Sequence, residues 1–228
     1  MSGAANRLAV FDCDGTLVDS QGIIVAAMTA AFEAEGLAAP DARCIRQAVG
    51  LPLVEALLRL APAEASPRRL ADRYRDAYGD RFGRPEFQEP LFAGAAAALD
   101  ALERAGYLLG IATGKGRRGL VRLLDRHGLT ARFATLQTAD DGPGKPSPDM
   151  LLRAMAETAA EPGATVMIGD TTYDMHMARN AGVASIAVAW GYHDTAELIA
   201  AGATELAGDF AALPALVDRM VLRGRRCA

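Results

Sequence analysis

The sequence predicts an α/β protein: a doubly wound, Rossmann-like parallel sheet with a small all-helical cap domain inserted after its first strand. Two observations predict this fold. From residue 86 onward, short apolar runs alternate with amphipathic helical segments, which is the pattern of parallel strands joined by crossover helices. Residues 19–85 instead show helical spacing of apolar residues and no convincing strand. We therefore predict an α/β core of residues 1–18 and 86–228, and a cap of residues 19–85.

The first predicted strand ends in two acidic residues. Residues 7–11 form a short apolar run, which suits a buried strand but is too short to be a helix. Because side chains alternate along a strand, Asp12 and Asp14 should point the same way, with Cys13 on the opposite, packed face. Carboxylates this close repel each other unless a cation lies between them, and Mg²⁺ is the hard cation that binds carboxylate and phosphate oxygens. On its own, an Asp-x-Asp-Gly segment is equally typical of a strand that runs into a polar turn.

The cap is predicted to consist of four helices. Apolar residues recur at three- and four-residue intervals, and Gly50-Leu51-Pro52 and Ala61-Pro62 separate successive segments. The predicted helices are residues 21–36, 41–49, 53–60 and 67–82. A helical block placed directly after an acidic strand end is typical of a lid.

The core elements follow a linker that is bracketed by Pro85 and Pro90. The predicted helices are residues 95–105, 117–127, 148–158 and 173–181, and the predicted strands are residues 107–113, 133–137, 165–168 and 184–189. Ligands of doubly wound sheets bind beyond the carboxyl ends of the strands. The polar residues that fall at this edge are Thr113, Gly114 and Lys115 after the second strand, Lys145 ahead of a helix, and Gly169, Asp170 and Asp174 after the fourth strand.

Composition and charge exclude several classes of protein. With 228 residues, of which 51% are hydrophobic, the chain can form a packed globular core. A net charge of −4 argues against nucleic-acid binding, which needs a basic surface. Cys13, Cys44 and Cys227 fit neither a disulfide framework nor a Cys-x-x-Cys metal site, and no apolar run reaches membrane length. We expect a soluble, cytoplasmic protein without a signal peptide, a monomer or homodimer that contacts neither nucleic acid nor membrane.

The order and placement of these motifs resemble the haloacid dehalogenase superfamily, and within it the phosphatases with a helical cap after the first motif. The first motif is matched by residues 12–20, the second by Thr113, the third by Lys145 and the fourth by Gly169-Asp170 through Asp174. The resemblance covers essentially the whole chain. Each motif alone is weak, but the four together in this order are specific.

The resemblance implies a mechanism based on the two acids of the first motif. Asp12 would attack the substrate phosphorus and form an aspartyl-phosphate. Asp14 would protonate the departing alkoxide and then take a proton from the attacking water. The resemblance also implies Mg²⁺, held by Asp12, the backbone carbonyl of Asp14, and Asp170.

The other motif residues are implied to bind the phosphoryl group or to support the residues that do. Thr113 and Lys145 would hold the phosphoryl oxygens, and Asp174 would steady Lys145 or reach a metal-bound water. Many relatives have Asn or Ser at the position of Gly114, so we expect its substrate contacts to differ with the chemistry intact. Further candidates for contacting the substrate or supporting the site are Gly15, Thr16, Lys115 and Arg46.

Two segments resemble phosphoglycolate phosphatases, namely Gly50-Leu51-Pro52 in the cap and residues 188–192. The expected substrate is therefore a small phosphorylated metabolite, such as a phosphoglycolate-like phosphomonoester. Trp190 and Tyr192 are more simply explained as packing aromatics. Positive charge for a carboxylated substrate could come from Arg46, Lys115, Arg117 or Arg118, although solvation at the surface is the more common role for each.

Other functions remain open. β-Phosphoglucomutases use the same aspartyl-phosphate chemistry but carry an arginine at the position of Leu53. Inorganic pyrophosphatases and nucleotidases of the superfamily are further alternatives. Outside the enzymes, receiver-type signalling modules share the phosphorylatable Asp, Mg²⁺, Thr and Lys, but they are much shorter and lack the helical insert. Turnover separates the two classes, because a switch retains its phosphoryl group whereas a phosphatase releases phosphate repeatedly.

Overall fold

A six-stranded parallel sheet forms the centre of the protein. The computed structural model describes residues 6–227, and the side chains of residues 6–222. The strands are β1 (Asn6–Phe11), β2 (Tyr107–Ala112), β3 (Phe133–Gln137), β4 (Ala160–Gly169), β5 (Ala184–Val188) and β6 (Glu205–Ala207). Their order is β3-β2-β1-β4-β5-β6, and every neighbouring pair is parallel. The chain order reverses between β1 and β4, which is where doubly wound sheets bind ligands. The predicted fold class is confirmed.

Four helices lie between β1 and the rest of the core. They are α1 (Gln21–Ala34), α2 (Ala42–Ala48), α3 (Leu53–Leu60) and α4 (Pro67–Arg81). These helices bury their own apolar cluster, separate from the clusters on the sheet, and its largest members are Ile23, Phe32, Ile45, Leu57 and Leu70. The predicted helical insert is therefore present in the chain order, and the domain boundaries themselves stay a prediction.

The remaining helices cover both faces of the sheet. They are α5 (Ala95–Arg104), α6 (Arg117–Arg126), α7 (Asp149–Thr158), α8 (Thr172–Asn180), α9 (Thr195–Ala200) and α10 (Leu213–Cys227). Residues of α5, α6 and α10 pack with Ala9 and Phe11 on one face, and residues of α7 and α8 pack with Leu8 and Val10 on the other. The two faces of β1 are thus both buried, as expected for a central parallel strand. Among the described residues, no helix combines the length and apolar character that a membrane span requires.

The segment after β5 and the start of β4 differ from the sequence predictions. The helices α9 and α10 and the short strand β6 had no predicted counterpart. Strand β4 begins at Ala160, five residues before its predicted start at Thr165, because Ala159 adopts a left-handed conformation (φ 51°) that ends α7. Its pairing with β1 is irregular there, since Asn6 faces Ala160 whereas Leu8 faces Thr165.

Two hydrogen-bonded connections join the inserted helices to the sheet. The Asp19 N–H donates to the Pro90 carbonyl (2.9 Å), and the Phe92 N–H donates to the Leu17 carbonyl (3.0 Å). The chain therefore leaves the core and returns to it at neighbouring points, close to the end of β1. Pro90 and Phe92 of the returning linker therefore lie beside the first motif.

Candidate active site

Asp12 lies at the carboxyl end of the central strand β1 and is almost fully buried (1% exposed). Its Oδ1 accepts a hydrogen bond from the Cys13 N–H (2.7 Å) and lies 2.9 Å from the Lys145 Nζ. Its Oδ2 is buried and has no hydrogen-bond partner among the described residues. Cys13 itself packs in the apolar cluster on one sheet face, as its alternation with the two acids predicts.

Lys145 is fully buried between two carboxylates. Its Nζ lies 2.9 Å from Asp12 and 2.6 Å from Asp174. Burial lowers the pKa of Lys145, but these two carboxylates raise it by more, so that its pKa is higher than usual. Lys145 therefore carries its positive charge into the centre of the site.

Asp174 is fixed by the beginning of helix α8. Its Oδ2 accepts hydrogen bonds from the Thr171 N–H (3.0 Å) and hydroxyl (2.7 Å), and the Thr171 hydroxyl accepts one from the Asp174 N–H. This capping box satisfies backbone N–H groups at the helix start. It leaves Oδ1 of Asp174 directed at Lys145.

Asp170 is held by Thr16 of the first motif and by Tyr192 in the segment after β5. Its Oδ1 accepts a hydrogen bond from the Thr16 hydroxyl (2.8 Å), and its Oδ2 accepts one from the Tyr192 N–H (2.9 Å). Gly15 has a positive φ of 87°, and a Cβ on it would lie 2.3 Å from the Asp170 Oδ2. Only glycine fits this conformation and this close approach. Gly15 and Thr16 thus support Asp170 in this structure.

One oxygen from each of Asp12, Asp170 and Asp174 lies within 4.8 Å of the others. The pKa of Asp12 is raised to about 7. Burial is the largest cause, the charge of Lys145 opposes it, and the charge of Asp174 adds to it. Burial and the charges of Asp12 and Asp174 likewise raise the pKa of Asp170 well above its usual value. This repulsion marks a site for a cation.

The chemistry of these donors fits Mg²⁺. The cluster offers hard carboxylate oxygens, and the unpartnered Oδ2 of Asp12 is an acceptor that a cation would satisfy. Asp12 and Asp170 belong to the predicted set of metal ligands, and the contribution of the Asp14 carbonyl stays a prediction. The side chain of Asp14 is not part of the three-carboxylate cluster.

Asp14 contacts a different set of residues. Its Oδ1 accepts a hydrogen bond from the Ser20 hydroxyl (2.6 Å) and lies 3.2 Å from the Lys115 Nζ. It is slightly exposed (8%), more than Asp12 or Asp170. Asp14, which is predicted to protonate the leaving group, is therefore the most exposed of these three acids.

Lys115 is a buried bridge between the core and the inserted helices. Besides Asp14, its Nζ contacts the Tyr78 hydroxyl on α4 (2.8 Å) and lies 3.5 Å from Glu89 Oε1. Burial lowers its pKa, but Asp14, Tyr78 and Glu89 raise it, and the net result is a pKa well above the usual value. Solvation at the surface, its more common role, is wrong for Lys115, whose side chain is only 9% exposed.

Glu89 was not identified from the sequence. It is 1% exposed, lies in the linker before α5, and accepts a hydrogen bond from the Tyr78 hydroxyl. His127 contacts its backbone carbonyl (2.8 Å). The only sequence signal was an acid within the linker bracketed by Pro85 and Pro90, and such acids are usually solvated.

A cavity of about 1000 Å³ lies between the inserted helices and the core. Its lining includes Gly50, Leu51, Tyr74 and Tyr78 on one side and Gly114 and Lys115 on the other. A Cβ at Gly114 would lie 2.6 Å from the Leu51 carbonyl oxygen and 2.8 Å from that of Gly50. Gly114 thus allows the backbone of Gly50 and Leu51, between α2 and α3, to approach the core.

Comparison with known proteins identifies the family. The sequence profile of the haloacid dehalogenase-like hydrolases matches residues 9–188. The chain belongs to the haloacid dehalogenase-like hydrolases. A probable phosphatase, IndB, from Dickeya dadantii is 38% identical over 85% of this chain and 86% of its own length. A phosphoglycolate phosphatase from Agrobacterium fabrum is 33% identical over 97% of both chains.

A solved structure supports the fold of this haloacid dehalogenase-like hydrolase. The crystal structure of a predicted phosphoglycolate phosphatase from Haemophilus somnus matches it with a TM-score of 0.82, covering 92% of this chain and 97% of the other. At 20% identity, this similarity concerns the fold alone. Family membership does not support the receiver-type alternative.

The other predicted residues of this hydrolase fall into two groups. Thr113 is buried directly after β2, where its hydroxyl accepts a hydrogen bond from the Lys115 N–H (3.2 Å). Arg46 lies in the last turn of α2 and is not among the described residues that line the cavity. Arg117 is half exposed and pairs with Asp141 (2.7 Å). Thr113 thus lies at the end of β2 beside Lys115. Within the described part of the chain, neither Arg46 nor Arg117 contacts Asp12, Asp14 or Lys145, and the roles of all three residues stay predictions.

The aromatic residues after β5 support the first motif. The Trp190 indole N–H donates to the Thr16 carbonyl (3.0 Å), and Ser20 contacts the Tyr192 hydroxyl (3.3 Å). Trp190 also packs against Phe210. Packing is therefore part of their role, together with hydrogen bonds to the loop that carries the two acids. The Cys227 side chain lies outside the described residues, and Cys13 and Cys44 are free.

Proposed function

We propose that this chain is a Mg²⁺-dependent phosphatase that hydrolyses a small phosphorylated metabolite through an aspartyl-phosphate on Asp12. The position of Lys145 between Asp12 and Asp174, next to Asp170, carries the proposal. Two of its relatives are named as phosphatases, which supports the same reaction class. The position of these charged residues at the switch point of a doubly wound sheet supports this proposal.

In the first step, a carboxylate oxygen of Asp12 attacks the phosphorus. The bond to the leaving-group oxygen breaks, and Asp14 donates its proton to that oxygen. Asp14 is suited to this role because Ser20 and Lys115 hold its Oδ1 while the side chain stays accessible. The covalent intermediate replaces one difficult hydrolysis with two easier steps.

Lys145 and Thr113 stabilise the charge that spreads over the phosphoryl oxygens. Preorganised donors of this kind contribute roughly 10²–10³ in rate each. Asp174 keeps the Lys145 ammonium in place through its own fixed carboxylate. When bound by Asp12, Asp170 and the Asp14 carbonyl, Mg²⁺ would neutralise the charge between nucleophile and phosphate.

In the second step, water attacks the phosphorus of the aspartyl-phosphate. Asp14, now deprotonated, accepts a proton from this water, phosphate leaves, and Asp12 returns to its carboxylate form. Tyr78 on the inserted helix α4 contacts Lys115, which lies beside Asp14, so this helix is next to the site. We propose that these helices act as a cap that closes during this cycle.

Replacing the nucleophile tests the proposal. Asp12→Asn should abolish Mg²⁺-dependent hydrolysis of p-nitrophenyl phosphate while the circular dichroism spectrum is retained. Asp100→Asn, an equivalent change at an exposed acid on α5, is the matched control and should keep full activity. Activity of the Asp12→Asn variant near the wild-type level would remove Asp12 as the nucleophile.

A further inference from the structure

We propose that the leaving group of the substrate is an uncharged, hydroxylated alcohol, such as a polyol or a sugar. Glu89 selects this leaving group because its carboxylate already balances the positive charge of Lys115. This inference rests on the proposed phosphatase function and narrows its substrate class. It departs from the phosphoglycolate-like substrate that the sequence suggested, because the leaving group of phosphoglycolate carries a carboxylate.

The first step of the argument is the position of Lys115. Asp14 is the proposed proton donor to the leaving group, and the Lys115 Nζ lies 3.2 Å from it. Lys115 also lines the cavity between cap and core, into which the leaving group would extend. The other lysine of the site, Lys145, is engaged with Asp12 and Asp174. The cavity lining also includes Arg75, Arg118 and Arg122. Lys115 is the cation in contact with the proposed proton donor, so a substrate carboxylate next to the reacting bond would meet Lys115.

The second step is that Lys115 is already neutralised. Its ammonium faces two buried carboxylates, Asp14 at 3.2 Å and Glu89 at 3.5 Å. Glu89 takes no part in the proposed reaction, and one of its oxygens, Oε2, has no hydrogen-bond partner among the described residues. While Asp14 carries the proton that it donates, Glu89 balances the charge of Lys115, and a carboxylate on the leaving group would add a second negative charge beside Glu89, which is unfavourable in a buried site.

The third step concerns the rest of the cavity. The carbonyl oxygens of Gly50 and Leu51 lie against Gly114, so these backbone groups face the core and add no positive charge to the cavity wall. Apart from Lys115, the charged residues of the lining are equal in number, three arginines and three aspartates, so they add no positive excess: Arg75, Arg118, Arg122, Asp76, Asp80 and Asp140.

The size of the cavity agrees with a larger leaving group. At about 1000 Å³ it has the volume of sites that bind whole metabolites. Glycolate, with two carbons, would leave most of it empty. Tyr74 and Tyr78 supply aromatic walls and, in Tyr78, a hydroxyl beside Lys115.

Matched substrate pairs test the inference on the wild-type enzyme with saturating Mg²⁺. Glycerol 3-phosphate carries a hydroxymethyl group where 3-phosphoglycerate carries a carboxylate. Glucose 6-phosphate carries a hemiacetal carbon where 6-phosphogluconate carries a carboxylate. We expect kcat/KM to be at least about tenfold higher for the member of each pair that lacks a carboxylate, because like-charge contacts are costly. Equal or higher kcat/KM for the carboxylated members would overturn the inference.

Glu89→Gln tests the residue itself, with Glu86→Gln in the same linker as the exposed control. The variant removes the negative charge that balances Lys115, so the ratio of kcat/KM for the carboxylated member to that for its partner should rise by about tenfold in each pair. Glu89→Asp should retain the wild-type preference. An equal loss of kcat on every substrate would show a merely structural role and contradict the proposal.

The failure of this inference and that of the phosphatase proposal are distinguishable. If p-nitrophenyl phosphate is not hydrolysed with Mg²⁺, both fall. If it is hydrolysed and the carboxylated esters are preferred, only the substrate class is wrong. The wild-type comparison decides the substrate class even if Glu89→Gln does not fold.

Discussion

Lys145 Nζ lies 2.6 Å from Asp174 Oδ1, while the other oxygen of Asp174 caps helix α8. The lysine proposed to bind the phosphoryl group is thereby tied to a rigid element of the core. Its position depends on a residue that does not itself react. This relationship leads to the first prediction.

Asp174→Asn should lower kcat without unfolding the protein. The amide can still accept the hydrogen bonds of Thr171 but loses the charge that holds Lys145, and such supporting changes cost about 10–100-fold in activity. The measurement is kcat with p-nitrophenyl phosphate, with urea unfolding to confirm the fold. Glu197→Gln, an exposed acid in the first turn of α9, is the control. Unchanged kcat in Asp174→Asn would contradict the role of this pair.

Gly15→Ala should destabilise the protein and weaken Mg²⁺ binding. The new Cβ would lie 2.3 Å from Asp170 Oδ2 at a φ of 87°, which combines backbone strain with a collision and costs roughly 1–3 kcal/mol in the free energy of unfolding. Gly36→Ala is the matched control, because its φ is 69° but its Cβ would meet open space. Urea unfolding of both variants measures the difference. Equal destabilisation would show that contact with Asp170 is unimportant.

Mg²⁺ affinity should rise with pH. Burial raises the pKa of Asp12 in the folded, metal-free protein to about 7, above its unfolded value, so below that pH a proton competes with the cation. The same raised pKa means that the metal-free protein loses stability as the pH rises towards 7. Mg²⁺ should therefore increase the melting temperature more at pH 8 than at pH 6. A larger increase at pH 6, measured by calorimetry at equal Mg²⁺ concentration, would be the opposite result.

Gly114→Asn should impair catalysis by displacing the loop that contains Gly50 and Leu51. A side chain there would collide with the backbone of Gly50 and Leu51, and small misplacements at a site can cost about 10²-fold in rate. Gly208→Asn, where a Cβ meets nothing within 4 Å, is the control. The measurement is kcat/KM on the preferred substrate. Wild-type kcat/KM in Gly114→Asn would mean that the loop position seen here is not needed for turnover.

Local sequence patterns predicted most of the fold. Alternating apolar runs identified β1 to β5, and apolar periodicity identified α1 to α8. The segment after β5 was missed because β6 has only three residues and α9 only six, which are too short for a periodic signal. The start of β4 was misplaced because Glu161-Pro162-Gly163 is typical of a turn and not of a buried strand.

The candidate site was predictable to the extent that its residues follow strands. Asp12, Thr113, Lys145 and Asp170 all fall at one edge of a parallel sheet, so topology brings them together. Glu89 was missed because its contacts are set by how the linker returns to the core. The burial of Lys115 likewise depends on Tyr78, which is 37 residues away in the chain. Such contacts leave no local signal in a sequence.

Trapping the covalent intermediate tests the central claim most directly. During turnover of p-nitrophenyl phosphate with Mg²⁺, borohydride reduction should convert residue 12 from aspartate to homoserine, and peptide mass spectrometry should find this change there and not in Asp12→Asn. Steady release of phosphate with no reduction at residue 12, or reduction at a different carboxylate, would contradict the account.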